Sequence, residues 1–420
     1  MADSSRFTKA FLLLLGAVVV AALSQSFYVS WWQPSAVQSE QTKTRKLPSG
    51  EAPPKRPPSS PQLSPAARHV AYQIDPGQQS QDVESLLTLH DSEEVAARRE
   101  ALIAYLWGEQ GFPQEKRPAQ VIENIQDARF ARLSGLETID KLVVELDYGL
   151  RSYAYHFRPR QPNKRLVIYH QGHLGGFERG IETIEFFVSR GYHVVALAMP
   201  LVGMNNRPVV VTPRFGRIVL TKHDHLKMLD RPFQPFLEPV AVVLNHALAE
   251  EQYQSVSMVG LSGGGWTATL CAAIDPRIQT SYPVAGSYPI FLRTRNDGHF
   301  RAAERNQWKW YLQGDWGDFE QTEPSLYRIA NYLELYVIGS SGEGRRQVQV
   351  LNRFDSCCFN GPRFQTYEEI VARRVQSIGP GSFRVFLDES HHEHKISSVA
   401  LAVIERDILG GNDGRPDTSP

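Results

Sequence analysis

Short apolar runs alternate with segments of helical periodicity between residues 140 and 409. Runs of this kind, rich in β-branched residues and bounded by turn residues, predict strands. Repeated strand–helix–strand units predict a mainly parallel sheet with helices on both faces. The predicted strands are Leu142–Leu146, Tyr153–Phe157, Leu166–Tyr169, His193–Leu197, Val256–Val259, Ser281–Ala285, Gln347–Leu351 and Phe383–Leu387. The predicted helices include Ile181–Arg190, a segment through Val240 and Leu248, Thr366–Gln376 and Ser398–Ile408.

A helical lead-in is predicted before this region, over residues 69–139. The sequence Asp91-Ser92-Glu93-Glu94 resembles a capping box, and Val95, Leu102, Ile103 and Leu106 follow at helical spacing. The turn Asp147-Tyr148-Gly149 predicts that the first two strands form a hairpin.

The first 32 residues carry a targeting signal. Arg6 and Lys9 precede an apolar run over residues 11–23, which is short for a membrane span of about 20 residues. Extension to Trp31-Trp32 reaches that length and favours a transmembrane signal-anchor. The alternative is a secretory signal cleaved near Ala22-Leu23-Ser24. Both predict that the catalytic body is exported, and the anchor adds attachment to a membrane.

Residues 33–68 and 411–420 are predicted to be disordered. The first of these segments is rich in proline, serine and lysine and has almost no large apolar residues. Such a composition cannot bury enough surface to fold, so it predicts an extended tether.

Composition narrows the range of partners. Lys+Arg and Asp+Glu both number 45 in 420 residues, so no basic surface is indicated and nucleic acid is not expected as a partner. Cys271, Cys357 and Cys358 do not form a disulfide framework, and the last two have no companion at metal-site spacing.

The sequence Gly260-Leu261-Ser262-Gly263-Gly264 stands between a predicted strand and a predicted helix. A Gly-x-Ser-x-Gly motif in this strand–turn–helix context indicates a nucleophilic serine. The tight turn exposes the serine oxygen, and the glycines allow the strand and the helix to approach each other. The region from 140 to 410 thereby resembles the α/β-hydrolase superfamily, in particular its serine esterases. The resemblance implies an α/β-hydrolase fold with a cap insertion, here at about 287–333.

The resemblance also implies a catalytic triad in the chain order serine, acid, histidine. Ser262 is then the nucleophile, and Asp355, directly after a predicted strand, is the acid. Asp388 and Glu389 are alternatives by type but lie too close to the histidine loop, so they are interpreted as shaping that loop. His394 is the preferred base.

Two rival histidines, His391 and His392, stand in the same loop as the preferred base, His394. An oxyanion hole is implied at the backbone N–H groups of Gly263 and His173. His170 and His173 could instead stiffen their own loop. His223-Asp224-His225 suggests a pair of metal ligands but is interpreted as a polar loop.

The resemblance therefore predicts a serine hydrolase that cleaves a carboxylic ester through an acyl-enzyme on Ser262. Its substrate would be a small-molecule or polymer-linked acyl ester, with no cofactor and no metal. One alternative is a metal-dependent hydrolase that uses the cluster His391, His392 and His394. Another is a non-catalytic binding protein that retains the fold. Peptide and thioester substrates suit the same triad.

Overall fold

The computed structural model describes residues 74, 76–293, 318–355 and 357–410. The predicted signal segment, the proline-rich linker, residues 294–317 of the predicted cap and the C-terminal tail lie outside the described residues.

A nine-stranded sheet forms the centre of the described part, in the order β1-β2-β3-β5-β4-β8-β9-β10-β11. The strands from β5 to β11 in this order pair in parallel, whereas β1, β2 and β3 pair antiparallel at one edge. A separate hairpin consists of β6 and β7. The strands are β1 Gln120–Ile122, β2 Leu136–Glu145, β3 Arg151–Pro159, β4 Arg165–Gln171, β5 His193–Ala198, β6 Val209–Thr212, β7 Gly216–Val219, β8 Ser255–Leu261, β9 Thr280–Val284, β10 Arg346–Asn352 and β11 Ser382–Asp388.

Ten α-helices are described. They are α1 Pro76–Gln79, α2 Ser92–Trp107, α3 Ile181–Val188, α4 His223–Leu226, α5 Gln234–Glu250, α6 Gly263–Ile274, α7 Pro324–Tyr327, α8 Tyr332–Ser340, α9 Glu368–Ile378 and α10 Ser398–Ile408. Short 3₁₀ turns are at Glu84–Leu86, Gly108–Gln110, Asp147–Gly149, Phe177–Gly180, Ile290–Leu292, Phe319–Gln321 and Arg363–Thr366.

The sheet separates two hydrophobic cores because successive strand residues point to opposite faces. On β4, Leu166 and Ile168 belong to one core, and Val167 and Tyr169 belong to the other. Helices α2, α5, α6, α8 and α9 contribute to the first core, and α3 and α10 contribute to the second. The predicted fold class, a mainly parallel sheet with helices on both faces, is confirmed.

The helical lead-in is corrected by the structure. Helix α2 begins as predicted, with Asp91 accepting hydrogen bonds from the N–H groups of Glu93 and Glu94 at 2.9 Å each. It ends at Gly108, whose φ of +59° is left-handed. Strand β1 and the start of β2 lie within the region predicted as helix, because pairing with the sheet edge outweighs local helical preference.

The predicted transmembrane signal-anchor is also corrected. Within the described ranges, no helix is both long and apolar enough to cross a bilayer. The apolar run at residues 11–23 and its extension to residue 32 lie outside those ranges. Export of the catalytic body stays a prediction.

A buried histidine on β3 makes the fold sensitive to acid. His156 is fully buried, and its Nε2 lies 3.2 Å from Nδ1 of His193 on β5. Burial lowers the pKa of His156 well below 6.5, and the charges of Arg158 and His193 lower it further. Below pH 6.5 the His156 side chain binds a proton in the unfolded chain but stays unprotonated in the folded state. Acid therefore favours the unfolded state.

We expect the free energy of unfolding to decrease as the pH falls below 6.5, and His156→Leu to weaken that dependence. One excluded proton corresponds to a slope of about 1.4 kcal/mol per pH unit. Urea unfolding between neutral and mildly acidic pH measures it. His90→Leu, at an exposed position, is the matched control. An unchanged slope in His156→Leu would contradict the assignment.

Candidate active site

Ser262 occupies a strained turn between β8 and α6. Its backbone angles, φ 58° and ψ −124°, are sparsely populated and cost about 1–3 kcal/mol. Its N–H donates to the carbonyl of Val284 on β9 at 2.9 Å, and its carbonyl accepts from the N–H of Trp266 at 3.0 Å. These two bonds hold the serine between the end of the sheet and the first turn of the helix.

The glycines around Ser262 are needed for close backbone approach. A Cβ at Gly260 would overlap the carbonyl of Gly264, and a Cβ at Gly264 would overlap the carbonyl of His170. A Cβ at Gly172, on the loop after β4, would lie 2.7 Å from Cβ of Ser262. Strand, helix and loop therefore meet at the serine with no room for side chains.

Asp355 is fully buried just after β10, and all its hydrogen bonds suit an ionised carboxylate. Its Oδ1 accepts from the N–H groups of Cys357 and Cys358, at 2.7 and 3.3 Å. Its Oδ2 accepts from Nδ1 of His394 at 2.7 Å and from Nδ2 of Asn352 at 3.3 Å. A carboxylate only accepts, so Nδ1 of His394 carries a proton and donates it to Asp355.

The loops that carry Asp355 and His394 are joined to each other. Asn352 Nδ2 donates to the carbonyl of Lys395 at 2.9 Å, and the N–H of Arg353 donates to the carbonyl of Asp388 at 2.8 Å. Cys357 and Cys358 form a disulfide within the acid loop. Although their sulfurs lie near His394, both are used in that bond and offer no thiolate to a metal.

The two rival histidines have other neighbours. His391 Nε2 lies 3.4 Å from Oδ2 of Asp388, and the ring of His392 packs on Phe354 with centroids 5.2 Å apart. Among the three, the imidazole of His394 is the one with a described hydrogen bond to Asp355.

The rival acids shape the histidine loop. Asp388 accepts from the N–H and hydroxyl of Ser390, at 2.9 and 2.6 Å, and from the hydroxyl of Ser397. Burial alone would raise the pKa of Asp388, but these hydroxyl donors lower it. Glu389 pairs with Arg353 at 2.5 Å.

Ser262, Asp355 and His394 follow β8, β10 and β11, whose carboxyl ends lie at the same edge of the sheet. No hydrogen bond between the Ser262 hydroxyl and Nε2 of His394 is found among the described residues, and that nitrogen is buried without a described hydrogen-bond partner. Catalytic hydrogen bonds are often long in the absence of substrate. The arrangement leaves a buried imidazole nitrogen, Nε2 of His394, at the edge of the sheet where the serine lies.

The loop after β4 lies against the start of α6. A Cβ at Gly263 would come within 2.6 Å of Nδ1 of His173, so the His173 ring is in contact with the residue that follows Ser262. His170 is buried, which lowers its pKa to about 4, and its Nδ1 lies 3.0 Å from the carbonyl of Gln171. His170 therefore stays neutral and stiffens the loop locally.

A second polar cluster, which the sequence analysis missed, surrounds His173. His173 Nε2 lies 2.8 Å from Glu320 and 3.2 Å from Asp318, and His223 Nδ1 lies 3.5 Å from Glu320. Burial alone would lower the pKa of His173, but the two carboxylates raise it to about 9. The sequence motif around His223 suggested a ligand pair, but the other members of the cluster are far away along the chain. His173 lies about 50 residues before His223, and Asp318 and Glu320 lie about 100 residues after it, so local sequence could not reveal the cluster.

Solved structures share this architecture. Acetyl xylan esterase from Paenibacillus sp. R4 has a TM-score of 0.50 at 16% identity, covering 80% of this chain and 99% of that chain. Acetyl xylan esterase 1 from Thermoanaerobacterium sp. JW/SL YS485 has a TM-score of 0.50 at 14% identity, with the same coverage of both chains. No protein-family model and no curated protein sequence matches the chain. The fold is thus the α/β-hydrolase fold.

The Asp355–His394 hydrogen bond can be tested directly. An imidazole N–H held by a buried carboxylate gives a far-downfield proton NMR resonance because the bond is short and charge-assisted. We expect one such resonance to be lost in both Asp355→Asn and His394→Gln and kept in His391→Gln. Its persistence in Asp355→Asn would mean that His394 has a different partner.

Proposed function

We propose that this chain is a serine hydrolase that cleaves carboxylic esters through an acyl-enzyme on Ser262. The observation that carries the proposal is the 2.7 Å hydrogen bond between His394 Nδ1 and the fully buried Asp355 carboxylate. A serine hydroxyl is a weak nucleophile at neutral pH and needs an imidazole base whose tautomer is held by an acid. The strained turn at Ser262 supplies the nucleophile position typical of this fold.

In the first step, Ser262 Oγ attacks the ester carbonyl carbon and its proton passes to Nε2 of His394. The tetrahedral intermediate collapses, the alcohol leaves with the proton from His394, and the acyl group remains on Ser262. Water then attacks the acyl carbonyl carbon while His394 accepts its proton. The second tetrahedral intermediate collapses as its bond to Ser262 Oγ breaks, Ser262 takes the proton back from His394, and the carboxylic acid is released. Asp355 orients the ring throughout and stabilises the imidazolium.

The oxyanion is assigned to two backbone donors. Gly263 is the first residue of α6, so its N–H has no intrahelical acceptor and lies at the positive end of the helix dipole. The N–H of His173 is the second donor, because the His173 loop is packed against Ser262 and Gly263.

The substrate class is proposed as a small-molecule or polymer-linked acyl ester. The two structural neighbours described above are named as acetyl xylan esterases, which makes a short acyl group the first to test.

The metal-dependent alternative has less support. The three histidines of that cluster have different neighbours and do not converge on one point. His391 lies beside Asp388, His392 packs on Phe354, and His394 is hydrogen-bonded to Asp355. A non-catalytic binding protein would retain the fold without turnover, and activity measurements separate it from the proposed hydrolase.

We expect Ser262→Ala to lower kcat/KM for 4-nitrophenyl acetate by ~10⁴-fold or more, because the attacking oxygen is removed. Hydrolysis is measured with the full chain, together with labelling by a fluorophosphonate probe. Ser189→Ala, at an exposed position after α3, is the matched control. Equal labelling of wild type and Ser262→Ala would refute the nucleophile assignment. If wild type hydrolyses no acyl ester, amide or thioester and takes no probe, that result would favour the non-catalytic binding protein.

Single alanine substitutions at His394, His391 and His392 identify the base. We expect His394→Ala to match the loss in Ser262→Ala, because only its ring is oriented by Asp355, and the other two to stay within about tenfold of wild type. Initial rates and circular dichroism of all three variants are the measurements. If activity is lost only in His391→Ala or only in His392→Ala, that histidine would be the base instead of His394.

A further inference from the structure

The cluster beside Gly263 brings together four potential metal ligands from three separate parts of the chain. His173 follows β4, His223 begins α4, and Asp318 and Glu320 lie just before α7. One nitrogen or oxygen from each lies within 4.8 Å of the corresponding atoms of the others. All four side chains are at least 90% buried.

The distances within the cluster suit a tetrahedral metal ion. Zinc binds nitrogen and oxygen at about 2.0–2.2 Å, which places neighbouring ligand atoms about 3.4 Å apart. The three ligand-to-ligand distances that the structure describes are 2.8, 3.2 and 3.5 Å. These three distances differ from that spacing by about 0.6 Å or less.

The tautomer of His223 presents a lone pair to the cluster. Its Nε2 lies 2.9 Å from the backbone carbonyl of Pro200, which can only accept, so Nε2 carries the proton. In the neutral ring, Nδ1 is then an acceptor, and it lies 3.5 Å from the carboxylate of Glu320. Either a proton on Nδ1 or a metal ion between the two atoms satisfies this contact. A backbone carbonyl that orients the far nitrogen is also the usual support for a metal-bound histidine.

The carboxylate of Glu320 supplies an independent reason to expect a bound cation. The residue is fully buried, and its Oε2 has no hydrogen-bond partner among the described residues. Burial of a carboxylate oxygen without a partner is costly, and a bound cation removes that cost.

We propose that His173, His223, Asp318 and Glu320 form a structural binding site for a zinc-class divalent cation. Two imidazoles with two carboxylates suit zinc, whereas calcium and magnesium prefer oxygen ligands throughout. Four protein ligands leave no open position, which is typical of a structural ion rather than a catalytic one. The ion would connect the loop after β4 with the α4 insertion and the segment before α7, and it would hold the His173 loop against Gly263.

The competing arrangement is an ion-pair network with no metal, in which a protonated His173 bridges Asp318 and Glu320. The two arrangements differ in one measurable quantity, the amount of metal that the folded chain retains.

We expect the full chain, loaded with Zn²⁺ and passed through a desalting column, to retain about one ion per chain by atomic emission. His223→Gln and Glu320→Gln should lower retention at least tenfold, because each removes a ligand from a four-ligand site. His225→Gln is the matched control: it lies two residues further in the insertion and outside the cluster, and should bind as wild type does.

Wild-type protein provides a test that does not depend on the folding of any variant. Cobalt(II) in place of zinc should give the intense visible absorption of tetrahedral coordination, and Zn²⁺ should raise the melting temperature of chelator-treated protein. No retained zinc and no cobalt spectrum in folded wild type would establish the ion-pair network instead. These readouts do not depend on esterase activity, so the proposed function can fail while the metal site stands, or the reverse.

Discussion

The strained turn at Ser262 is the constraint on which the rest of the structure depends. Ser262 has a positive φ between β8 and α6. At this turn the strand, the helix and the loop after β4 come so close that Gly260, Gly264 and Gly172 have no room for a side chain. The cost of the turn is offset by α6, which is buried along its whole length. Because the helix cannot shift without losing that packing, the serine is held in one position.

The proposed acid and base, Asp355 and His394, rely on a different part of the fold. Strands β10 and β11 run in parallel and in register, so Asp355 and His394 emerge at the same edge. Burial strengthens the bond between them, because a carboxylate in a low-dielectric setting interacts strongly with each donor. The N–H groups of Cys357 and Cys358 satisfy the other carboxylate oxygen, so Asp355 tolerates its full burial.

Two polar networks lie at the carboxyl edge of the sheet. One contains Asp355 and His394, and the other contains His173 with Glu320, Asp318 and His223. Buried charges are expensive unless they are paired or bind a cation, so the second network must be compensated within the protein. Since His173 is in contact with Gly263, its position affects the loop proposed to bind the oxyanion.

The sequence alone determined the parallel sheet, the extent of α10 and the position of Ser262 at a strand–helix turn. These features are local: apolar periodicity, a capping residue and glycine spacing act within a few residues. Tertiary structure decided the rest, namely the β1 edge strand, which of three neighbouring histidines meets Asp355, and the cluster around Glu320. Each of these depends on contacts between residues distant in the chain, and the free energy of such contacts comes from burial, charge and hydrogen bonding in the folded core.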